Sequence, residues 1–161
     1  MRRFRAPATV IGGLAVAALV AGTALAASTA FTATYSGTVT EKVSGQTVTA
    51  VAKGKGKGTA IGKGTLSGTV TASTANPPCS PLSGPGLIAG TAGKLKVTLL
   101  PTSRGCAAGE DDRDNISFSG SAKVKGGTGK YRAAKGTLRF SGHYDRAHGN
   151  FTVKLSGTLK Y

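Results

Sequence analysis

The sequence is short of several things. Its 161 residues include no tryptophan, one methionine, two cysteines and six acidic residues. Neither His143 nor His148 stands at zinc-ligand spacing from a cysteine, so no metal motif is present and no cofactor is expected. Beyond residue 26 no segment is uniformly apolar, which excludes a membrane-spanning helix there. Nor does any later segment show a helical period of useful strength, which argues against a helical bundle.

What is present begins with a leader. Arg2, Arg3 and Arg5 precede an uncharged run over residues 6–26, with an apolar centre from about Val10 to Ala21 and a final Ala24-Leu25-Ala26. A basic start, an apolar centre and an A-x-A end predict a cleaved signal peptide over 1–26 and a single domain over 27–161. The alternative is an uncleaved N-terminal helix. No cysteine follows the run, so nothing marks a lipoprotein, and the expected location is secreted or extracellular. Residues 27–161 then hold 18 basic against 6 acidic residues, a net charge of +12. Such a charge favours polyanions, among them acidic polymers of a cell envelope; the alternative is solubility alone. Two thiols in an exported chain predict a Cys79–Cys106 disulfide.

The remaining chain alternates. Phe31, Ala33, Tyr35, Gly37 and Val39 share one phase, and Thr32, Thr34, Ser36, Thr38 and Thr40 the other. The same split appears around Leu66 and Val70, Leu95 and Leu99, Ile116 and Val124, Leu138 and Tyr144, and Phe151 and Tyr161. Successive strand side chains point to opposite faces, so each run is a half-buried strand with a wet, threonine-rich face. Gln46 to Gly64 alternates lysine with glycine and alanine; it reads as two strands with a glycine turn near 55–58, or as low-complexity disorder. Pro77, Pro78, Pro81 and Pro85 make residues 76–93 read mostly as loop, and residues 104–114 as a second loop.

Six clear strands and two or three weaker ones predict an all-β barrel or sandwich. A Ser-Gly pair recurs with Gly37, Gly68, Gly120, Gly142 and Gly157 on the inward phase. Inward glycines mark sharp bends and barrel corners, which favours the barrel; a compositional habit is the alternative.

One stretch carries a resemblance. Gly126-Gly127-Thr128-Gly129-Lys130-Tyr131-Arg132-Ala133-Ala134-Lys135-Gly136 is similar to the G-G-T-G-x-[FY]-x-x-A-x-G stretch of the dirigent and allene oxide cyclase barrels. The run that follows, to Tyr161, and Gly58-Thr59-Ala60-Ile61-Gly62-Lys63 resemble small exported bacterial proteins that share the motif. The resemblance implies an eight-stranded antiparallel barrel with an apolar interior, and a homo-oligomer, a trimer in those families. By itself the motif reads as a tight turn with positive φ, after which Tyr131 and Ala134 set the next strand's entry. A phosphate-cradling loop is the alternative, but the P-loop Lys-Ser/Thr pair is missing.

The inward phase offers little for catalysis, and no catalytic residue is assigned. Glu41 is the one acid on the apolar phase of a clear strand, at a strand end, where a rim position or a catalytic acid are both readings. Asp145 and His143 share the outward phase and His148 lies in the adjoining turn, with no nucleophile beside them. Glu110, Asp111, Asp112 and Asp114 form an acidic loop without calcium-loop spacing. Rings on inward phases argue against specific nucleic-acid binding, which needs exposed stacking surfaces. They read as core or as the lining of a pocket for a small hydrophobic ligand, with Tyr35, Phe118, Phe140, Tyr144 and Phe151 as pocket candidates. The expectation is a binding or structural protein of the cell envelope; the alternative is a dirigent-like or cyclase-like enzyme acting inside the barrel.

Overall fold

The computed structural model describes residues 28–75, 77–109 and 112–161. The expected leader over 1–26 lies outside the described residues, as do Glu110 and Asp111 of the acidic loop. The strands in chain order are β1 (Ser28–Ser44), β2 (Thr47–Gly58), β3 (Gly62–Ser73), β4 (Cys79–Ser83), β5 (Pro85–Gly90), β6 (Gly93–Leu99), β7 (Arg104–Ala107), β8 (Asn115–Gly127), β9 (Lys135–Asp145) and β10 (Asn150–Lys160). A single 3-10 turn, Gly129–Tyr131, stands between β8 and β9.

The protein is all-β and antiparallel, as the alternation predicts. Neighbours run β2-β1-β10-β9-β8-β6-β5-β3, and a β2–β3 pairing closes these eight strands into a barrel-like ring. β4 and β7 do not add a layer. β3 pairs with β5 over residues 64–68 and with β4 at Thr71 and Ala72. Correspondingly, β8 pairs with β6 from Ala122 onward and with β7 over residues 116–119. β4 and β7 pair with each other. They therefore take over from β5 and β6 at one end of the ring, which stays eight strands around.

Three readings of the sequence need correction. Residues 76–93 are not mostly loop, because they carry β4 and β5. Pro81 fits because β4 meets β3 only at Ser83 and Leu82, leaving the proline off that ladder. Residues 104–114 contain β7, so both cysteines sit on paired strands; Cys79 lies directly opposite Cys106 and is bonded to it. Finally, β2 runs unbroken through the lysine-glycine repeat to Gly58, and the chain turns at 59–61 instead of 55–58.

The inward glycines acquire partners from the register. Phe31 lies opposite Gly157, Tyr35 opposite Gly56, Phe118 opposite Gly142, Phe140 opposite Gly120 and Phe151 opposite Gly37. Each of these five inward rings thus has a cross-strand neighbour without a side chain, which leaves room for it inside a narrow ring. An ideal Cβ on Gly56 would stand 2.7 Å from the Tyr35 ring. Gly68 is the exception, opposite Ala52 and Gly86.

Candidate functional site: a half-open apolar cavity

One end of the ring is filled. Phe31, Leu95, Leu138 and Leu159 are wholly buried there together with Tyr131. The glycine motif builds this floor. Gly126 and Gly129 adopt φ of 83° and 60°, left-handed values that glycine reaches without strain, and reverse the chain out of β8. The 3-10 turn then places Tyr131 across the end of the ring, where its hydroxyl donates to the Ala60 carbonyl. Its ring meets Tyr161 edge-on at 5.0 Å, and Lys130 Nζ caps both rings at 5.1 and 5.4 Å. The motif is therefore a plug as well as a turn. Its tyrosine packs across the floor and does more than lead into β9.

The other end is open. A cavity of about 640 Å³ enters between the β1–β2 hairpin, the β9–β10 hairpin and the loops flanking β4 and β7. One wall is aromatic: Phe118, Phe140, Tyr144 and Phe151, from β8, β9 and β10. Across the ring the wall from β2, β3 and β5 mixes small residues, among them Ala50, Ala52, Ala72 and Gly86, with Leu66, Val70 and Leu87. The cavity exists because the inward phase keeps its polarity but loses volume on that side. Of the five pocket candidates from sequence, four line it. Tyr35 does not; it packs fully buried against Gly56. Its hydroxyl has no hydrogen-bond partner among the described residues, and burial, with the nearby Tyr131 phenol, pushes its pKa up to about 12.

Among the described residues, charged side chains reach the cavity only at its mouth. Glu41 accepts a 3.1 Å charge-assisted bond from Arg146 Nε, and Arg146 also donates to the Arg113 carbonyl at 3.1 Å. The Glu41 side chain is 19 % exposed and that of Arg146 38 %. These are rim values, and the pair is already neutralised, so Glu41 is a rim residue here. Tyr144 sits below them. Burial raises its pKa first and the Glu41 charge second, against the opposing pull of Arg146.

The remaining polar candidates lie outside the cavity. Asp145 accepts from the His148 backbone at 3.1 Å and pairs with His148 Nδ1 at 2.7 Å, which closes the β9–β10 turn. His143 bonds Asn115 at 3.1 Å. Asp112 binds the Asn115 amide group and backbone, fixing the entry to β8. Among the described residues no three His, Cys, Asp or Glu side chains gather as a metal site. The arrangement suits enclosure of an apolar body whose polar end stays at the Glu41–Arg146 rim. Sequence reading missed the small-residue wall; its signal was the run of inward Ala and Gly in β2, β3 and β5. No family model matches this chain, and no curated protein sequence does.

Proposed function

We propose that this protein is an exported binding module of the cell envelope that carries a small hydrophobic ligand in the cavity. The observation that supports it is the pairing of a packed floor with an open, apolar upper half of about 640 Å³. Pockets of that size and lining enclose drug-sized apolar molecules. A folded chain does not keep such space by accident, since interiors normally pack to crystal density. The Cys79–Cys106 bond agrees with life in an oxidising compartment. Among the described residues no helix is long and apolar enough to cross a membrane. The resemblance to dirigent and allene oxide cyclase barrels agrees with a ligand inside a ring of strands. It also raises the trimer as a testable assembly.

Native mass spectrometry of protein purified from its source is expected to show a retained apolar molecule. Neutral N-phenyl-1-naphthylamine is expected to brighten on binding to wild type. Ala52→Phe, which fills the cavity from the small-residue wall, should abolish that signal while the fold survives. An unchanged signal in the variant would remove the cavity as the binding site. A second reading rests on Tyr144 lying beneath the Glu41–Arg146 pair. In a cyclase-like enzyme these groups would steer a proton at the mouth. Turnover of a bound ligand that Glu41→Gln and Tyr144→Phe both suppress, with binding retained, would favour that reading.

A further inference from the structure

The outer face of β2 bears the most regular charge pattern in the molecule. Lys53, Lys55 and Lys57 alternate with Gly54, Gly56 and Gly58. The glycines have a packing reason, since a Cβ at 54 or 56 would press on the ring of Phe151 or Tyr35. The lysines have none. They are exposed, and the ion pairs Glu41–Arg146 and Asp145–His148 both sit at the mouth and involve none of them. The register aggravates the crowding, because Lys57 lies directly opposite Lys63 of β3. Like charges opposed across a ladder destabilise it.

The neighbours of these lysines are hydroxyls. Lys53 stands between Thr38 and Ser67, and Lys55 between Ser36 and Thr65. Lys57 stands next to Thr34. Residues two apart on a strand share a face and repeat every ~6.7 Å. The result is a straight file of ammonium groups with O–H donors along both sides. No aromatic side chain shares it, since the strand rings occupy the inward phase.

We propose that Lys53, Lys55 and Lys57, with Lys63 at the end of the file, form a docking track for a base-free linear polymer with one phosphodiester per repeat, a polyol phosphate. A lysine holds a phosphate as a point charge, and adjacent hydroxyls donate to its remaining oxygens. A repeated charge on the ligand matches a repeated charge on the strand, which a single ion would not. Nucleic acid shares the phosphate, but its affinity for such proteins draws on ring stacking that this face lacks. The track lies outside the barrel and stands independently of the cavity.

The test is calorimetric titration of the protein with poly(glycerol phosphate) at several salt concentrations. Neutralising three phosphates should give a log–log salt slope of about −2, by analogy with single-stranded polyanions. K53Q/K55Q/K57Q is expected to weaken binding by roughly ten-fold or more at low salt and to flatten the slope by about two units. A scattered triple of equal charge, K42Q/K96Q/K135Q, should weaken it by less than about three-fold. Circular dichroism checks that both triples fold; if the first does not, K55Q alone should remove about one third of the slope. Equal losses in the two triples would reduce the effect to net charge and overturn the track. Tighter binding of oligothymidylate than of poly(glycerol phosphate) at matched charge would overturn it in favour of nucleic acid.

Discussion

At the closed end of the ring, Phe31, Leu95, Leu138 and Leu159 converge with Tyr131 and leave nothing exposed. At the open end the same inward phase, on the same strands or their continuations, surrounds about 640 Å³ of space. Both ends alternate apolar with polar residues equally well. What separates them is volume: tyrosine and leucine fill the floor, whereas above alanines and glycines such as Ala50, Ala52, Ala72 and Gly86 are interspersed among the larger apolar residues. Polarity pattern therefore determines which face is inside, and side-chain size determines whether that inside is a core or a container.

The sharpest way to break the comparison is to delete one ring at each end. Tyr131→Ala should cost about 3–5 kcal/mol, as loss of a wholly buried ring does, whereas Tyr144→Ala, beside existing space, should cost clearly less. Equilibrium denaturation with urea compares them, and equal costs would mean that the open end is packed as tightly as the floor. Next comes the staple of the open end. Replacing Cys79 and Cys106 by serine frees a loop with a sequence separation of 27. The chain-entropy model puts the loss at about 3.5 kcal/mol, read from the same denaturation midpoints.

A smaller loss is expected inside the wall. A Cβ on Gly120 would strike the Ser103 backbone, so Gly120→Val should cost about 1–3 kcal/mol or more. Ser119→Val, one residue away on the wet face, should cost little. Similar losses would mean that Ser103 gives way freely.

Below this lies the Tyr35 hydroxyl. The unfolded chain releases this proton near pH 10, the folded protein only near 12. Its contribution is complete below pH 10 and is lost as pH rises from about 10 to about 12, by up to about 2–3 kcal/mol. Tyr35→Phe should flatten that alkaline decline and leave neutral-pH stability unchanged or about 1 kcal/mol higher, since it removes a buried donor with no partner among the described residues. A marked loss at neutral pH would show that the hydroxyl is satisfied after all. The smallest effect sits on the rim. His148 holds the Asp145 carboxyl below its ordinary value. Removing the imidazole by His148→Ala should let that pKa rise, visible by NMR titration, with hardly any change in melting temperature.

Much of this fold is legible in the sequence. The long alternating runs around Phe31, Leu66, Leu95, Phe118, Phe140 and Phe151 are all strands, because a wet face and an apolar face leave a period of two. β4, β5 and β7 were hidden because they have 5, 6 and 4 residues and two of them hold prolines. Such strands need only one or two ladders, so proline on an unpaired side goes unpunished. The cysteine pairing was legible from exclusion of other partners, but not its place on a strand pair. The cavity was legible only as a lining. Whether Phe118 and Phe140 meet each other or empty space depends on the alanines and glycines across the ring, and that depends on which strands face which. Tyr131 was readable as part of a turn, but its reach to Ala60, 71 positions away, belongs to tertiary structure alone.

Ring closure has one more effect. β4 has β3 and β7 for neighbours and β5 has β3 and β6; β3 and β8 each have three, and the remaining strands two. Unlike an open sandwich, the described strands have no whole edge free for a second molecule; what remains is short, such as residues 40–44 of β1 beyond the β10 ladder. Its strands are rich in threonine, valine and glycine, and several outer faces carry few charges, the composition from which fibrils grow once backbone is bared. Parting any single seam would bare two margins at once. Protection from edge-to-edge pairing is thus a property of the closed circuit, and the first sign of its opening, on heating or on reduction of the cysteines, should be self-association before any loss of β-structure.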